Sequence, residues 1–292
     1  MKYAWIKKHR KQFPVAVMCR ILQVSSSGYY EGMKRQPCLQ LIRRRSIAQA
    51  AAHSYFESNH IYGYRKVHDD LINEGVPCCK EMVRRVMRDI GLFSRIKRKF
   101  VVTTDSNHLR ATAENLLNRD FTAKAPNQKW VADITYIPTQ AGWLYLAVIL
   151  DLFSRRIVGW SMSDTIDSGL VQSALRMALA DRNPNAGLMH HSDRGVQSAS
   201  SDFQKLLKDN KTVCSRSRKG NCWDNACVER FFGSLKNEWV QKKIYPTFDE
   251  AKKDIFNYIE MFYNRKRKHA SLGYVSPVVY EEMHEMNQNR AA

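Results

Sequence analysis

Three strand-like runs follow one another closely along the chain: KWVADITYI (129–137), WLYLAVILDLF (143–153) and RIVGWSMS (156–163). β-Branched and aromatic residues dominate them, and Pro138 ends the first run. The gaps between the runs are too short for the crossover helix that parallel neighbours require. The runs are therefore predicted to pair as antiparallel neighbours in one sheet.

Helical and strand-like segments alternate after this point. The pattern predicts helices near 168–182 and 199–210, strands near 187–193 and 212–216, and a long helix near 223–240. A meander of three strands followed by such an alternation predicts an α/β fold with a mixed five-stranded sheet flanked by helices. A sheet of this kind is buried on both faces, so any charge within it needs a partner.

The amino-terminal part of the chain is helical and basic. Residues 14–32 have the spacing of a helix-turn-helix, and a second helical pair is predicted near 62–74 and 80–90. Residues 1–125 hold 24 Lys and Arg against 10 Asp and Glu, whereas the whole chain has a net charge of +19. This excess predicts binding to a polyanion, with nucleic acid favoured over lipid; the alternative is a basic surface that only promotes solubility.

The second pair contains the basic residues that we assign to DNA contact. In the helix near 80–90 the side chains of Lys80, Arg84 and Arg88 fall four residues apart on one face. The segment SRIKRKF follows at once and continues the positive charge, with Lys97, Arg98 and Lys99 as further candidates. A solvated charged face is the alternative interpretation.

These patterns predict four regions: a helix-turn-helix-like region at 1–100, a linker at 101–126, an α/β core at 127–245 and a helical carboxyl-terminal extension with a basic segment at 246–292. The longest apolar run, WLYLAVIL (143–150), is far too short to span a membrane, so we expect a cytoplasmic protein. Seven cysteines include no C-x-x-C pair, and we expect no zinc site.

Three acidic residues stand out. Asp133 lies inside a strand that should be buried, where an unpaired carboxylate would cost several kcal/mol. Asp193 follows a strand, where ligands commonly bind, although Asp-x-Gly is also a turn pattern. Glu229 shares one edge of an amphipathic helix with Asn225 and Lys236, although a surface glutamate is the simpler interpretation.

Carboxylates from two strands and a helix could converge on hard divalent cations, as two-metal phosphoryl transfer requires. Between Asp133 and Asp193 lie 59 residues, and between Asp193 and Glu229 lie 35.

This pattern resembles the DDE motif of retroviral integrases and bacterial transposases. The strings WVADITYIPT, HHSDRGVQ, SRKGNCWDNACVERFFGSLKNEW and YNRKRKHASLGYVSP are similar to those of insertion-sequence transposases of the IS-three family, second-frame (OrfB) products. The resemblance implies a ribonuclease H-like core in which Asp133, Asp193 and Glu229 are catalytic and hold two Mg²⁺ ions, with Mn²⁺ as a possible substitute. It also implies that Lys236 lies against terminal DNA, and we place Lys219 and Asn225 on the same surface.

The expected activity is that of a DNA transposase that cleaves element ends and joins them to target double-stranded DNA. The resemblance further implies a homo-oligomer on DNA, a first-frame (OrfA) partner and a nucleoid-associated bacterial location. The alternatives are an inactive DNA-binding regulator and a structure-selective nuclease on the same fold. Two side predictions concern other charged residues: Asp151 pairs with Arg155 or Arg156, and the basic segment at 263–274 either contacts DNA or covers the core.

Overall fold

A computed structural model of the protein describes residues 2–34, 36–94, 115–118, 120–193, 200–216, 225–241 and 243–291. In chain order its helices and strands are α1 (Lys2–His9), α2 (Val15–Ile21), α3 (Ser26–Lys34), α4 (Leu39–Glu57), α5 (Tyr64–Asn73), α6 (Lys80–Asp89), β1 (Lys129–Thr139), β2 (Gly142–Asp151), β3 (Ile157–Ser163), α7 (Ser168–Arg182), β4 (Met189–Ser192), α8 (Ser201–Asp209), β5 (Val213–Arg216), α9 (Ala226–Ser234), α10 (Phe248–Phe256) and α11 (Pro277–Ala291). The π-helical segments Leu235–Val240 and Asn257–Tyr263 continue α9 and α10, and a 3₁₀ turn at Ala270–Leu272 precedes α11.

The five strands form one mixed sheet in the order β3-β2-β1-β4-β5. Strands β1, β2 and β3 are antiparallel neighbours, while β4 runs parallel to both β1 and β5. The predicted meander and the predicted mixed sheet are both confirmed. The arrangement places β1 at the centre, with β2 on one side and the shorter β4 on the other.

Each face of the sheet has its own hydrophobic core. Trp130 and Ala147 face α7 and α8, whereas Val131, Ile137 and Val148 face α9, α10 and their π-helical extensions. This division follows from the two-residue period of strand side chains. Odd-numbered residues of β1 therefore share the face that α9 covers, and Asp133 is one of them.

Local chemistry explains most of the element ends. The side chain of Asp167 accepts a hydrogen bond from the Leu170 N–H (2.9 Å) and so caps the start of α7. The strand predicted at 187–193 begins later because Gly187 has φ +93, a left-handed conformation that extended chain does not adopt. The long helix predicted near 223–240 is described from Asn225 onward and changes from α to π geometry at Leu235.

The amino-terminal helices form two units. Helices α1 to α3 enclose a small core of Ile6, Met18, Cys19 and Tyr29. Helices α4 to α6 pack together and contribute to the same core as the α9 face of the sheet. Both predicted helical pairs are present, as α2–α3 and α5–α6. Across the described ranges, no helix has both the length and the apolar character needed to cross a membrane.

The basic segment 263–274 connects these parts of the molecule. Lys268 forms ion pairs with Asp69 and with Asp70 (2.6 Å), both on α5. Arg267 forms a buried ion pair with Glu238 on the π-helical extension of α9 (2.5 Å). These two cations therefore stabilise the fold, which favours the core-covering alternative for this part of the segment.

Candidate active site

Asp133 and Asp193 are brought together by strand register. The parallel ladder between β1 and β4 pairs Val131 with His191 and Ala132 with Ser192. Asp133 follows Ala132, and Asp193 follows Ser192. Because neighbouring strands lie roughly 4.8 Å apart, the two aspartates lie side by side. Both residues also line the same small cavity, of about 20 Å³. The two carboxylates are therefore adjacent at the point where β4 ends beside β1.

The electrostatics of this pair are unfavourable without a cation. Burial, together with the negative charges of Asp193 and Glu229, raises the pKa of Asp133 to about 8. A hydrogen bond from the Ile134 N–H to Asp133 Oδ1 (2.8 Å) lowers the pKa only in part.

Glu229 lies in the first turn of α9, near the two aspartates. Val228 and Phe232 on either side of it are buried against the sheet, whereas Glu229 itself is exposed. Burial raises its pKa, and its charge acts on Asp133. Within the described part of the chain, no three His, Cys, Asp or Glu side chains are grouped closely enough to hold a metal ion. The structure therefore pairs the aspartates, whereas Glu229 acts on Asp133 through its charge and does not complete a three-carboxylate cluster among the described residues.

Asn225 and Lys236 connect α9 to the central strand. Asn225 Nδ2 donates a hydrogen bond to the Ala132 carbonyl oxygen (3.1 Å), which attaches the start of α9 to β1. Lys236 Nζ lies 4.6 Å from the centre of the Tyr136 ring. Burial lowers the pKa of Lys236, while the charge of Asp133 acts in the opposite direction. Both side chains border the acidic pair.

The donor set at this site suits a hard divalent cation. The two carboxylates supply oxygen ligands, which Mg²⁺ prefers, and a bound cation would relieve the repulsion that raises the Asp133 pKa. Asn225 Oδ1 is also buried, and among the described residues it has no hydrogen-bond partner. The residues present therefore fit the expected ion.

Asp151 has a different environment from the one predicted. Its carboxylate accepts hydrogen bonds from the backbone N–H groups of Asn127 (2.7 Å) and Phe153 (2.8 Å). The nearest cation in the described ranges is Arg182, 4.0 Å away. The prediction that Asp151 pairs with Arg155 or Arg156 is wrong, because the chain turns sharply after β2 and brings other donors to the carboxylate. Asp151 stabilises this turn.

The residues predicted to contact DNA are only partly described. Lys80, Arg84 and Arg88 lie on α6 with exposed side chains, and both Arg84 and Arg85 form ion pairs with Glu81 (2.7 and 2.9 Å). The predicted contacts Lys97, Arg98, Lys99 and Lys219 fall outside the described residues. The DNA-contact assignments remain predictions.

Two exposed aromatic residues near Lys236 were not predicted from the sequence. Tyr136 and Trp143 are 42% and 52% exposed, and their ring centres lie 5.0 Å apart. In the sequence they read as ordinary strand residues. The presence of two large aromatics at the same hairpin end was the signal available.

Comparison with known proteins places the chain in a family. Models described as "Integrase core domain" match residues 123–222 and 229–284, and one described as "HTH-like domain" matches residues 43–100. The HTLV-2 integrase catalytic core domain in complex with magnesium is structurally similar, with a TM-score of 0.43 and 19% identity over 55% of this chain and 99% of that one. The first of the integrase-core matches spans all five strands of the sheet described above.

Two bacterial proteins are similar over almost their whole length. The insertion element IS600 uncharacterized 31 kDa protein of Shigella sonnei is 42% identical over 272 residues, which cover 92% of this chain and 99% of that protein. Transposase InsF for insertion sequence IS3A of Escherichia coli (strain K12) is 40% identical over 283 residues, which cover 96% and 98% of the two chains. The chain belongs to the IS3 family of insertion-sequence transposases.

Proposed function

We propose that the chain is a DNA transposase that cleaves the ends of its element and joins each freed 3′-hydroxyl to target double-stranded DNA. The observation that supports this most strongly is the pair of adjacent carboxylates, Asp133 and Asp193, on neighbouring strands of an integrase core. The raised pKa of Asp133 marks a site that favours a bound cation.

Asp133, Asp193 and Glu229 would hold two Mg²⁺ ions, with Mn²⁺ as a substitute. When bound, such ions activate the attacking oxygen and stabilise the leaving oxygen. The hydrogen bond from Asn225 to the Ala132 carbonyl oxygen holds the start of α9 against β1, and so helps to position Glu229. Lys236 would bind a phosphate of the DNA strand beside Asp133.

The basic helical region at 1–100 would bind DNA mainly through phosphates, with α6 and the residues after it as part of the surface. The core at 127–245 would carry the chemistry, with 101–126 as its linker and 246–292 as its carboxyl-terminal support. We also propose that the protein acts as an oligomer on paired element ends, with a first-frame partner, at the bacterial nucleoid. A gel-shift experiment with and without the first-frame partner would test whether that partner contributes to DNA binding.

The deciding experiment incubates the purified protein with terminal-repeat DNA and Mg²⁺, and follows cleavage and strand transfer on a denaturing gel. Asp133→Asn, Asp193→Asn and Glu229→Gln should each abolish both products without loss of DNA binding. The exposed Asp209 on α8 provides a matched control, because Asp209→Asn removes a carboxylate away from the site. Intact cleavage in Asp133→Asn and Glu229→Gln would refute the mechanism.

The same gel separates the alternatives. An inactive DNA-binding regulator would shift the DNA without cutting it at any metal concentration. A structure-selective nuclease would cut without forming the joined product.

A further inference from the structure

An exposed aromatic pair lies at the turn end of the β1–β2 hairpin. Tyr136 on β1 is opposite Tyr145 on β2, and Trp143 lies two residues from Tyr145, so Tyr136 and Trp143 emerge on the same face of the sheet. The rings meet at 84° with their centres 5.0 Å apart. They form an aromatic corner in which about half of each side chain is accessible.

The corner adjoins the acidic pair through Lys236. Strand β4 pairs with β1 only along Lys129–Ala132, so in the described residues β1 has no strand neighbour on that side from Asp133 onward. Lys236 lies at this open edge, with Nζ 4.6 Å from the Tyr136 ring centre and its charge interacting with Asp133. Tyr136 and Asp133 point to opposite faces of β1, and Lys236 links them around this open edge.

These groups match the chemistry of a single nucleic-acid strand. A lysine binds a backbone phosphate, and exposed aromatic rings stack on bases that are not stacked within a duplex. Every base has such a face, so a stacking site of this kind does not depend on sequence. A protein partner would be the other class of ligand for exposed aromatics, but the adjacent lysine and acidic pair favour the DNA strand.

We propose that Tyr136 and Trp143 form a stacking site for an unpaired base at the end of the DNA strand whose backbone lies at Lys236. This inference rests on the proposed function, because it takes the DNA strand at Asp133 as the substrate. The site would hold a frayed or unpaired terminal base out of the duplex and keep the adjacent phosphate beside the acidic pair.

The test uses the full chain in EDTA, where no cleavage occurs. Two duplexes carry 2-aminopurine at the terminus, either paired or in a short unpaired end. Stacking on an aromatic ring should quench its fluorescence, and the unpaired end should bind roughly tenfold more tightly than the paired end. Trp143→Leu and Tyr136→Leu should lose the quenching and this preference.

Two further variants guard against effects on folding. Tyr136→Phe keeps the ring and should retain the quenching. Phe256→Leu removes another exposed aromatic, on α10 and against Trp160, and should behave like the unmodified protein. Circular dichroism would confirm that all four variants are folded.

Quenching that persists in both leucine variants would overturn the proposal, as would equal affinity for the two duplexes. A change in oligomeric state without a change in quenching would identify the rings as a protein contact and would also overturn it. Failure of the proposed function has a separate readout, because cleavage is measured in Mg²⁺. If the protein quenches the fluorescence but never cleaves DNA in Mg²⁺, the stacking site would be supported and the proposed transposase activity would be rejected.

Discussion

Replacing Asp133 with asparagine is expected to stabilise the metal-free protein. The folded-state pKa of Asp133 is raised from 3.8 to about 8, first by burial and then by the charge of Asp193. Between these two values the folded state binds more protons at this group than the unfolded state does. The stability of the folded state therefore falls as pH rises through this window, and asparagine removes that loss.

The magnitude follows from the same shift. At about 1.4 kcal/mol per pKa unit, the full shift from 3.8 to about 8 would correspond to roughly 6 kcal/mol above pH 8. Solvent reaches the partly exposed Asp133 side chain, so we expect about 2 kcal/mol at pH 8.5. Asparagine keeps an oxygen that can accept the hydrogen bond from the Ile134 N–H, so the substitution leaves that backbone group satisfied.

The assay is urea denaturation in EDTA at pH 8.5 and pH 5.5, with Asp209→Asn as the control. The Asp133→Asn variant should exceed the unmodified protein in free energy of unfolding at pH 8.5, and the gap should shrink by at least half at pH 5.5. Saturating Mg²⁺ should then stabilise the unmodified protein more than the variant. A variant that is no more stable at pH 8.5, or a gap independent of pH, would refute the electrostatic account of this site.

Three other substitutions test the packing that supports the site. Arg267→Met should lower the free energy of unfolding by about 3–5 kcal/mol, because it leaves Glu238 buried without its cation, and adding Glu238→Leu should restore much of the loss in urea denaturation. Gly159→Ala should cost about 1–3 kcal/mol and lower the melting temperature, since a Cβ there would lie 2.3 Å from the Ala174 carbonyl oxygen; an unchanged melting temperature would contradict the close approach of α7 to β3. Glu281→Gln should lower the free energy of unfolding by about 1–3 kcal/mol at pH 7. Burial raises the Glu281 pKa, but hydrogen bonds from two arginines and a serine lower it overall, so the stabilisation by Glu281 is present above its unfolded pKa and is lost as pH falls. A stability difference between variant and unmodified protein that persists at pH 3 would contradict this account.

The neighbouring cations Arg267 and Lys268 also show why some functional assignments could not be made from sequence. The string NRKRKH is basic and resembles a DNA-contacting segment, yet Arg267 and Lys268 are used in ion pairs with residues 29 and about 200 positions away. Charge along the chain gives the sign of a surface but not the partners of each group. Those partners depend on which helices pack against the segment.

The local pattern by itself determined much of this protein. Alternating apolar residues and short gaps dictate the β1–β3 meander, since side-chain period and turn length are properties of neighbouring residues. The same pattern places Asp133 in a strand and Glu229 on an amphipathic helix. The motif strings around these acids were sufficient to indicate the family.

Only the tertiary structure decided which of these groups meet. Asp193 lies beside Asp133 because the parallel register of β4 on β1 aligns two residues that 59 others separate in the chain. The partners of Asp151 and the aromatic corner of Tyr136 and Trp143 were likewise set by contacts distant in sequence or across a hairpin. Burial and register are long-range properties, because they depend on the surfaces that pack together once all the elements have formed.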